Sequence, residues 1–291
     1  MDQRIIDLYD EFTHGGMSRR TFLDRLKTLA GSMAAASALL PLLENDYAKA
    51  AMVAADDARL VSERASYDSP KGNINGYLVR PKSKGKRPAV LVIHENRGLN
   101  PHLEDVARRL AAEGFLAYAV DLLSLVGGTP PSEDAARALH PKLNQDDAVA
   151  ALVAAVSFLK SHPESTGKVG AVGFCFGGLM INRLAASSPQ LDAAVAYYGR
   201  QVPAAQVPNI NAALLLHYAE RDDGVNAGIA AYDAALKANN KIFTIYSYPG
   251  TQHAFNNDLG GARYNKAAAD LAWGRTLAFF KQHLGNPPSA A

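Results

Sequence analysis

The chain has 291 residues, of which 48% are hydrophobic, and a formal net charge of +2. This length suits one α/β domain with a short leader, and the near-neutral charge gives no reason to expect a nucleic-acid partner. A single cysteine excludes an internal disulfide. The cysteine and the eight histidines show none of the familiar metal-binding spacings, so no metal or other cofactor is expected.

Residues 1–50 resemble an export leader. Residues 18–23 read S-R-R-T-F-L, a twin-arginine pattern, and an alanine-rich apolar stretch follows over residues 26–43. An A-K-A cleavage site at residues 48–50 completes the pattern, which predicts a periplasmic or otherwise exported protein. The alternative is an N-terminal helical segment that stays on a cytoplasmic protein. In either case the apolar stretch is too short and mild for a stable membrane span.

From residue 60 onward, strand and helix patterns alternate. Residues 63–67 and 76–80 predict an antiparallel pair, and apolar runs at 89–93 and 115–120 predict buried strands. Similar patterns predict strands at 168–173, 191–197, 213–217 and 241–246, and helices at 102–114, 146–160, 178–186, 227–238 and 267–284. This alternation predicts an α/β fold over residues 60–285, with a doubly wound, mostly parallel sheet and helices on both faces. Residues 286–291 are expected to form a flexible tail.

The cysteine lies in a glycine-rich turn between a predicted strand and a predicted helix. Residues 173–178 read G-F-C-F-G-G, which is the nucleophile-elbow pattern with Cys175 in place of the usual serine. Glycines allow the sharp turn, and the start of the helix favours a thiolate and an oxyanion. The alternative interpretation is a buried structural cysteine.

Other polar residues follow the ends of other predicted strands. Glu95 follows one strand, Asp222 and Asp223 follow another, and His253 comes after the last strand. In an open α/β sheet, reactive groups collect at the carboxyl ends of the strands. The chain order of nucleophile Cys175, acid and histidine is that of the α/β-hydrolases.

The residue types suggest roles in acyl transfer. His253 can accept the thiol proton and return it to the leaving group, while an aspartate on its other ring nitrogen fixes the tautomer. Backbone N–H groups of Phe176 and Asn96 would form the oxyanion hole. Each assignment has a structural alternative: either aspartate could be a turn residue, His253 could hydrogen-bond locally, and Glu95 could pair with Arg97.

Taken together, these motifs resemble the dienelactone hydrolase (carboxymethylenebutenolidase) family, over roughly residues 60–284. The matching segments are H-E at 94–95, the elbow at 173–178, the turn at Asp222, and G-T-Q-H-A-F at 250–255. The resemblance implies the α/β-hydrolase fold and cleavage of ester or lactone bonds through a thioester acyl-enzyme, without a cofactor.

The resemblance also implies residue roles. Cys175, Asp222 and His253 would form a catalytic triad, and Glu95 would take the thiol proton when substrate binds. In the family, the acid precedes a valine of the following turn by three positions. That valine is Val225 here, which favours Asp222 over Asp223.

Two arginines that hold the substrate carboxylate in the family are replaced here, by Leu125 and Asn257. Arg97 or Arg263 could substitute for them. An alternative function is that of a broader carboxylesterase for a bulkier or neutral small-molecule substrate, with Tyr198 lining an apolar acyl pocket. A third interpretation is a non-catalytic binding protein that retains the fold. The oligomeric state cannot be predicted from these patterns.

Overall fold

The computed structural model describes residues 1–15, 17–46, 49 and 51–290. Residues 60–252 contribute eight strands: β1 (Leu60–Ser69), β2 (Gly72–Pro81), β3 (Arg87–Ile93), β4 (Leu116–Val120), β5 (Ser165–Phe174), β6 (Ala193–Tyr197), β7 (Ala213–Arg221) and β8 (Phe243–Gln252). They form one sheet in the order β1-β2-β4-β3-β5-β6-β7-β8. β2 runs antiparallel to both β1 and β4, and all the other neighbours are parallel. The predicted α/β fold and all the predicted strands are confirmed.

The described residues form ten α-helices, which include all five that were predicted beyond residue 100. They are α1 (Gln3–Thr13), α2 (Arg19–Ala30), α3 (Met33–Leu43), α4 (Pro101–Ala112), α5 (Glu133–Leu139), α6 (Gln145–Ser161), α7 (Phe176–Ser187), α8 (Asp223–Asn226), α9 (Ile229–Ala238) and α10 (Lys266–Leu284). α4 and α10 pack on one face of the sheet, and α6, α7 and α9 pack on the other.

β3 shows why the central strands are apolar at every position. Ala89, Leu91 and Ile93 belong to the core on one face, whereas Val90 and Val92 belong to the core on the other. Successive side chains of a strand point to opposite faces, so a strand covered on both faces must be apolar throughout. Because β3, β5, β6 and β7 are parallel, their carboxyl ends share one edge of the sheet.

The N-terminal residues form a separate small helical unit. α1, α2 and α3 bury an apolar cluster of their own, in which the rings of Phe12 and Phe22 stack with centroids 4.3 Å apart. Ser18 caps α2 through the N–H of Thr21, and Gly31 ends that helix with a φ of 82°. The apolar stretch predicted over residues 26–43 is therefore split between two helices.

No single helix in the described part of the chain is long and apolar enough to cross a membrane. α2 and α3 meet that test only as a pair, bent by 111° at the break between them. Of the predicted cleavage site, Ala48 and Ala50 lie outside the described residues. Export and cleavage therefore stay predictions.

The described part of the C-terminal segment contacts the sheet domain. Ser83 donates a hydrogen bond from its hydroxyl to the carbonyl oxygen of Ser289, at 3.0 Å. Pro287 and Pro288 lie against Gly114, close to the start of β4. The segment predicted to be a flexible tail thus lies along the edge of the sheet where the parallel strands begin.

Candidate active site

The turn from β5 into α7 holds Cys175 in a strained backbone conformation, with φ 56° and ψ −113°. The glycines around it are required by close approaches of backbone to backbone. A Cβ atom on Gly177 would lie 2.3 Å from the carbonyl oxygen of Ile93, and one on Gly173 would lie 2.3 Å from that of Gly177. Strain of this kind persists only where the surrounding structure enforces it. The turn therefore holds a partly buried thiol at the N-terminal end of α7.

His253 and Asp222 meet beside this turn. His253 follows β8 and Asp222 follows β7, and Nδ1 of the imidazole lies 2.6 Å from Oδ2 of the carboxylate. Among the described residues, Nε2 of His253 has no hydrogen-bond partner. Since Nδ1 is taken by Asp222, Nε2 is the nitrogen left for Cys175, whose Sγ lies within 4.8 Å of a ring nitrogen of His253. Asp223 begins the short helix α8 and is exposed.

A second imidazole, not predicted from the sequence, contacts the thiol. His14 follows α1, and its Nε2 lies 3.3 Å from Sγ of Cys175. Its Nδ1 lies 2.8 Å from the carbonyl oxygen of Asp10, and its ring packs edge-on against that of His253 with centroids 4.6 Å apart. His14 and Cys175 are 161 positions apart in the chain, so no local sequence motif could have predicted their contact. Among the described residues, one cluster of potential ligands could hold a metal ion, and it consists of His14, Cys175 and His253.

The two imidazoles set the charge of the thiol. Burial would raise the pKa of Cys175, but attraction to His253 and then to His14, together with hydrogen bonding, lowers it to about 6. Conversely, burial would lower the pKa of His253, but Cys175, Asp10 and the bond to Asp222 raise it well above its usual value. Desolvation would lower the pKa of His14, but attraction to Cys175, the hydrogen bond to its thiol and attraction to Asp10 together raise it. A thiolate among imidazolium groups is therefore the favoured state near neutral pH.

The remaining predicted polar groups follow β3 or begin α7, at the carboxyl edge of the sheet. Glu95, just after β3, is buried, and its Oε2 accepts a hydrogen bond from Nδ2 of Asn257 at 3.1 Å. Asn257 is thus a partner of Glu95 that sequence analysis noted only as a replaced arginine. Phe176 is the first residue of α7, where N–H groups have no acceptor within the helix. The side chain of Asn96 donates a hydrogen bond to the carbonyl oxygen of Thr13.

Both arginines considered for substrate binding are buried against α1. Arg97 donates a hydrogen bond to the hydroxyl of Tyr9 at 3.2 Å and lies 3.5 Å from the carboxylate of Glu133. The guanidinium of Arg263 lies 5.0 Å from the centre of the Tyr9 ring and 4.0 Å from Oδ1 of Asp10. α1 therefore lies over the residues that were expected to hold the substrate.

The two apolar candidates lie on different sides of the nucleophile. Tyr198 is fully buried with a φ of 39°, and its ring centroid lies 5.0 Å from that of His253. Leu125 belongs to the short 3₁₀ helix after β4 and borders the same apolar cluster as Cys175. Tyr198 thus neighbours the catalytic candidates directly, whereas Leu125 contributes to the apolar surroundings.

The chain matches two family models. One, described as the dienelactone hydrolase family, matches residues 74–284. The other, described as YqhI-like, matches residues 1–30. The first match covers most of the sheet domain and the second covers α1 and α2, while residues 31–73, which include α3 and β1, belong to neither.

Individual proteins agree with the first of these matches. A putative carboxymethylenebutenolidase of Escherichia coli K12 is 33% identical over 79% of this chain and 90% of its own length. The crystal structure of a putative dienelactone hydrolase from Klebsiella pneumoniae is 32% identical, with a TM-score of 0.69 over 77% of this chain and 99% of that one. A thermostable esterase from Pseudomonas putida shares the fold at 17% identity, with a TM-score of 0.64 over 97% of both chains.

Proposed function

We propose that this chain, which belongs to the dienelactone hydrolase family of ester and lactone hydrolases, cleaves its substrate through the thiolate of Cys175. The observation that carries the proposal is the strained turn that presents Sγ between two imidazoles at the start of α7. A buried structural cysteine has no need of such a turn or of a lowered pKa. The same features argue against a non-catalytic binding protein.

The proposed reaction has two halves. The thiolate attacks the carbonyl carbon, and a C–S bond forms while the carbonyl oxygen becomes an oxyanion. When this intermediate collapses, the C–O bond breaks, and the leaving alkoxide takes a proton from His253. Water then attacks the thioester and gives one proton to His253, and the thiolate leaves as the free acid forms.

The other residues support these steps. Asp222 holds His253 in the tautomer that keeps Nε2 toward the thiol, and it stabilises the imidazolium. The N–H groups of Phe176 and Asn96 are the proposed oxyanion donors. The resemblance assigns the thiol proton to Glu95 on substrate binding, and we propose the same role here for molecules whose thiol is still protonated.

The arrangement favours a neutral ester or lactone over an anionic one. Leu125 and Asn257 supply no positive charge where family members carry arginine. Arg97 and Arg263 are both engaged with Tyr9 on α1. A substrate carboxylate would have to replace those contacts before either arginine could bind it. A carboxylesterase for neutral substrates is therefore the better-supported form of the proposal.

A pre-steady-state assay tests the mechanism. The purified chain is mixed with p-nitrophenyl acetate, and separately with a cis-dienelactone, beside a Cys175→Ala variant. We expect a burst of p-nitrophenol equal to one acetyl group per chain, absent in the variant, and slower turnover of the anionic lactone. Full turnover by Cys175→Ala would remove the thiol from the mechanism, and equal rates on both substrates would contradict the preference for neutral ones.

A further inference from the structure

We propose that His14, Cys175 and His253 form a binding site for Zn²⁺, which holds α1 over the nucleophile and inhibits hydrolysis reversibly. The three residues come from the end of α1, the elbow and the loop after β8, so folding alone brings them together. One donor atom from each residue lies within 4.8 Å of the other two. The binding of zinc stands independently of the substrate, whereas the inhibition rests on the proposed function of Cys175.

The donor atoms and their spacing suit zinc. Zinc bonds of about 2.0–2.1 Å to nitrogen and about 2.3 Å to sulfur place the donors of a tetrahedral site about 3.3–3.6 Å apart. Nε2 of His14 is already 3.3 Å from Sγ of Cys175. The donor nitrogen of His253 lies within 4.8 Å of the other two donors, so it would have to come closer by up to about 1.5 Å to reach the same spacing. A thiolate with two imidazoles selects zinc and similar ions, and it does not suit Mg²⁺ or Ca²⁺, which prefer oxygen.

In zinc-bound histidines, the ring nitrogen that does not bind the metal usually forms a hydrogen bond. Both imidazoles of this site already form such a bond at Nδ1. Nδ1 of His253 is bonded to the Asp222 carboxylate at 2.6 Å. Nδ1 of His14 lies 2.8 Å from the carbonyl oxygen of Asp10 and 3.4 Å from a carboxylate oxygen of the same residue. Such bonds fix the proton on Nδ1 and leave Nε2 as the donor atom. In His253, that Nε2 is buried and has no hydrogen-bond partner among the described residues.

The site has a route for the ion and a free coordination position. The side chain of His14 is 38% exposed, so solvent reaches the cluster from the α1 side. Three protein donors leave a fourth position for water. Cys175 binds as the thiolate, and each imidazole binds in its neutral form, so coordination releases the Nε2 protons of both imidazolium groups to solvent.

Binding would block hydrolysis for a chemical reason. The metal takes the lone pairs of Sγ and Nε2 that attack the substrate and carry the proton. It also joins α1 to the sheet domain, in addition to contacts such as those of Arg97 and Arg263 with Tyr9. We therefore expect inhibition that a chelator reverses.

Binding by the full-length chain is the direct test, and it needs no turnover. Zn²⁺ is titrated against a chromophoric chelator, and Co²⁺ is used as a spectroscopic probe. We expect one ion per chain, a thiolate-to-cobalt charge-transfer band, and protection of Cys175 from iodoacetamide. Absence of binding, or binding that leaves the thiol unprotected, would overturn the proposal.

Two histidine variants locate the ion. His14→Gln should weaken zinc binding at least tenfold. His140→Gln is the matched control. The ring centroid of His140 lies 4.4 Å from that of Phe176, next to the elbow, but His140 is not part of the three-residue cluster. It should change zinc binding less than twofold. Equal affinity of His14→Gln and the unmodified chain would overturn the proposal. Cys175→Ser gives a second check, since the charge-transfer band must disappear even if this variant still binds cobalt.

Discussion

Cys175 is held as a thiolate by two imidazoles that reach it from opposite ends of the chain. The elbow, His253 and Asp222 could be predicted from the sequence, because each follows a recognisable strand and the three occur in a familiar order. His14 could not, because a histidine at the end of an amphipathic helix carries no local pattern. The structure pairs His253 with Asp222 and leaves Asp223 exposed at the start of α8.

The lowered pKa of Cys175 predicts how its reactivity depends on pH. Thiolate is lost as the pH falls through about 6, so alkylation by iodoacetamide should have its midpoint there, well below the ordinary 9.0. As Cys175 is the only cysteine, mass spectrometry reports on this site alone. The urea-unfolded chain is the control and should titrate near the ordinary value. A midpoint near 9 in the folded protein would contradict the proposed charge state.

The two neighbouring aspartates provide a matched pair of variants. Asp222→Asn should lower kcat by roughly 10²–10⁴-fold, because the amide would favour the wrong tautomer of His253. Asp223→Asn should change kcat less than about twofold, because this exposed side chain begins α8. Steady-state kinetics on p-nitrophenyl acetate measure both. A larger loss in Asp223→Asn would reassign the acid.

At the scale of elements, the sheet could be predicted almost completely and the placement of α1 could not. Strands such as β3 are apolar at every position because both of their faces are buried, and that pattern is visible in the sequence. α1 contacts the sheet domain through separate polar pairs, such as Tyr9 with Arg97, whose partners are far apart in the chain. Such pairs leave no periodic pattern.

The turn from β5 into α7 can be tested with two glycine variants. Gly177→Ala should destabilise the protein by about 1–3 kcal/mol, because its Cβ would lie 2.3 Å from the Ile93 carbonyl oxygen. Gly274→Ala in α10 is the control, since nothing lies within 4 Å of its Cβ position, and it should stabilise by about 0.5–1 kcal/mol. Urea unfolding measures both. Equal stabilities would contradict the tight turn.

At the scale of the molecule, a helical unit with its own apolar core lies over the candidate active site of a hydrolase domain. The same residues carry the twin-arginine pattern, and in the structure Arg19 pairs with Asp134 at 2.8 Å. The same segment can carry the twin-arginine pattern and fold into helices, because an export leader need only be recognised before it is removed. Whether the chain is exported in this way can be decided from the compartment in which the protein is found.

Fractionation of cells answers that question. Changing both Arg19 and Arg20 to Lys should keep the protein in the cytoplasm while preserving the positive charge that faces Asp134. Arg25→Lys, outside the S-R-R-T-F-L pattern, should leave export unchanged. If the double variant is found in the same compartment as the unmodified chain, the segment is not a twin-arginine leader.

The two ends of the described chain lie at opposite edges of the sheet. Gln3 hydrogen-bonds to Gln252 close to His253, whereas Ser289 is bonded to Ser83 where the strands begin. An affinity tag fused to the N-terminus would therefore lie at the edge of the sheet that carries Cys175 and His253, whereas a tag on the C-terminus would lie at the opposite edge. For kinetic measurements on this protein, the C-terminus is thus the better place for a tag.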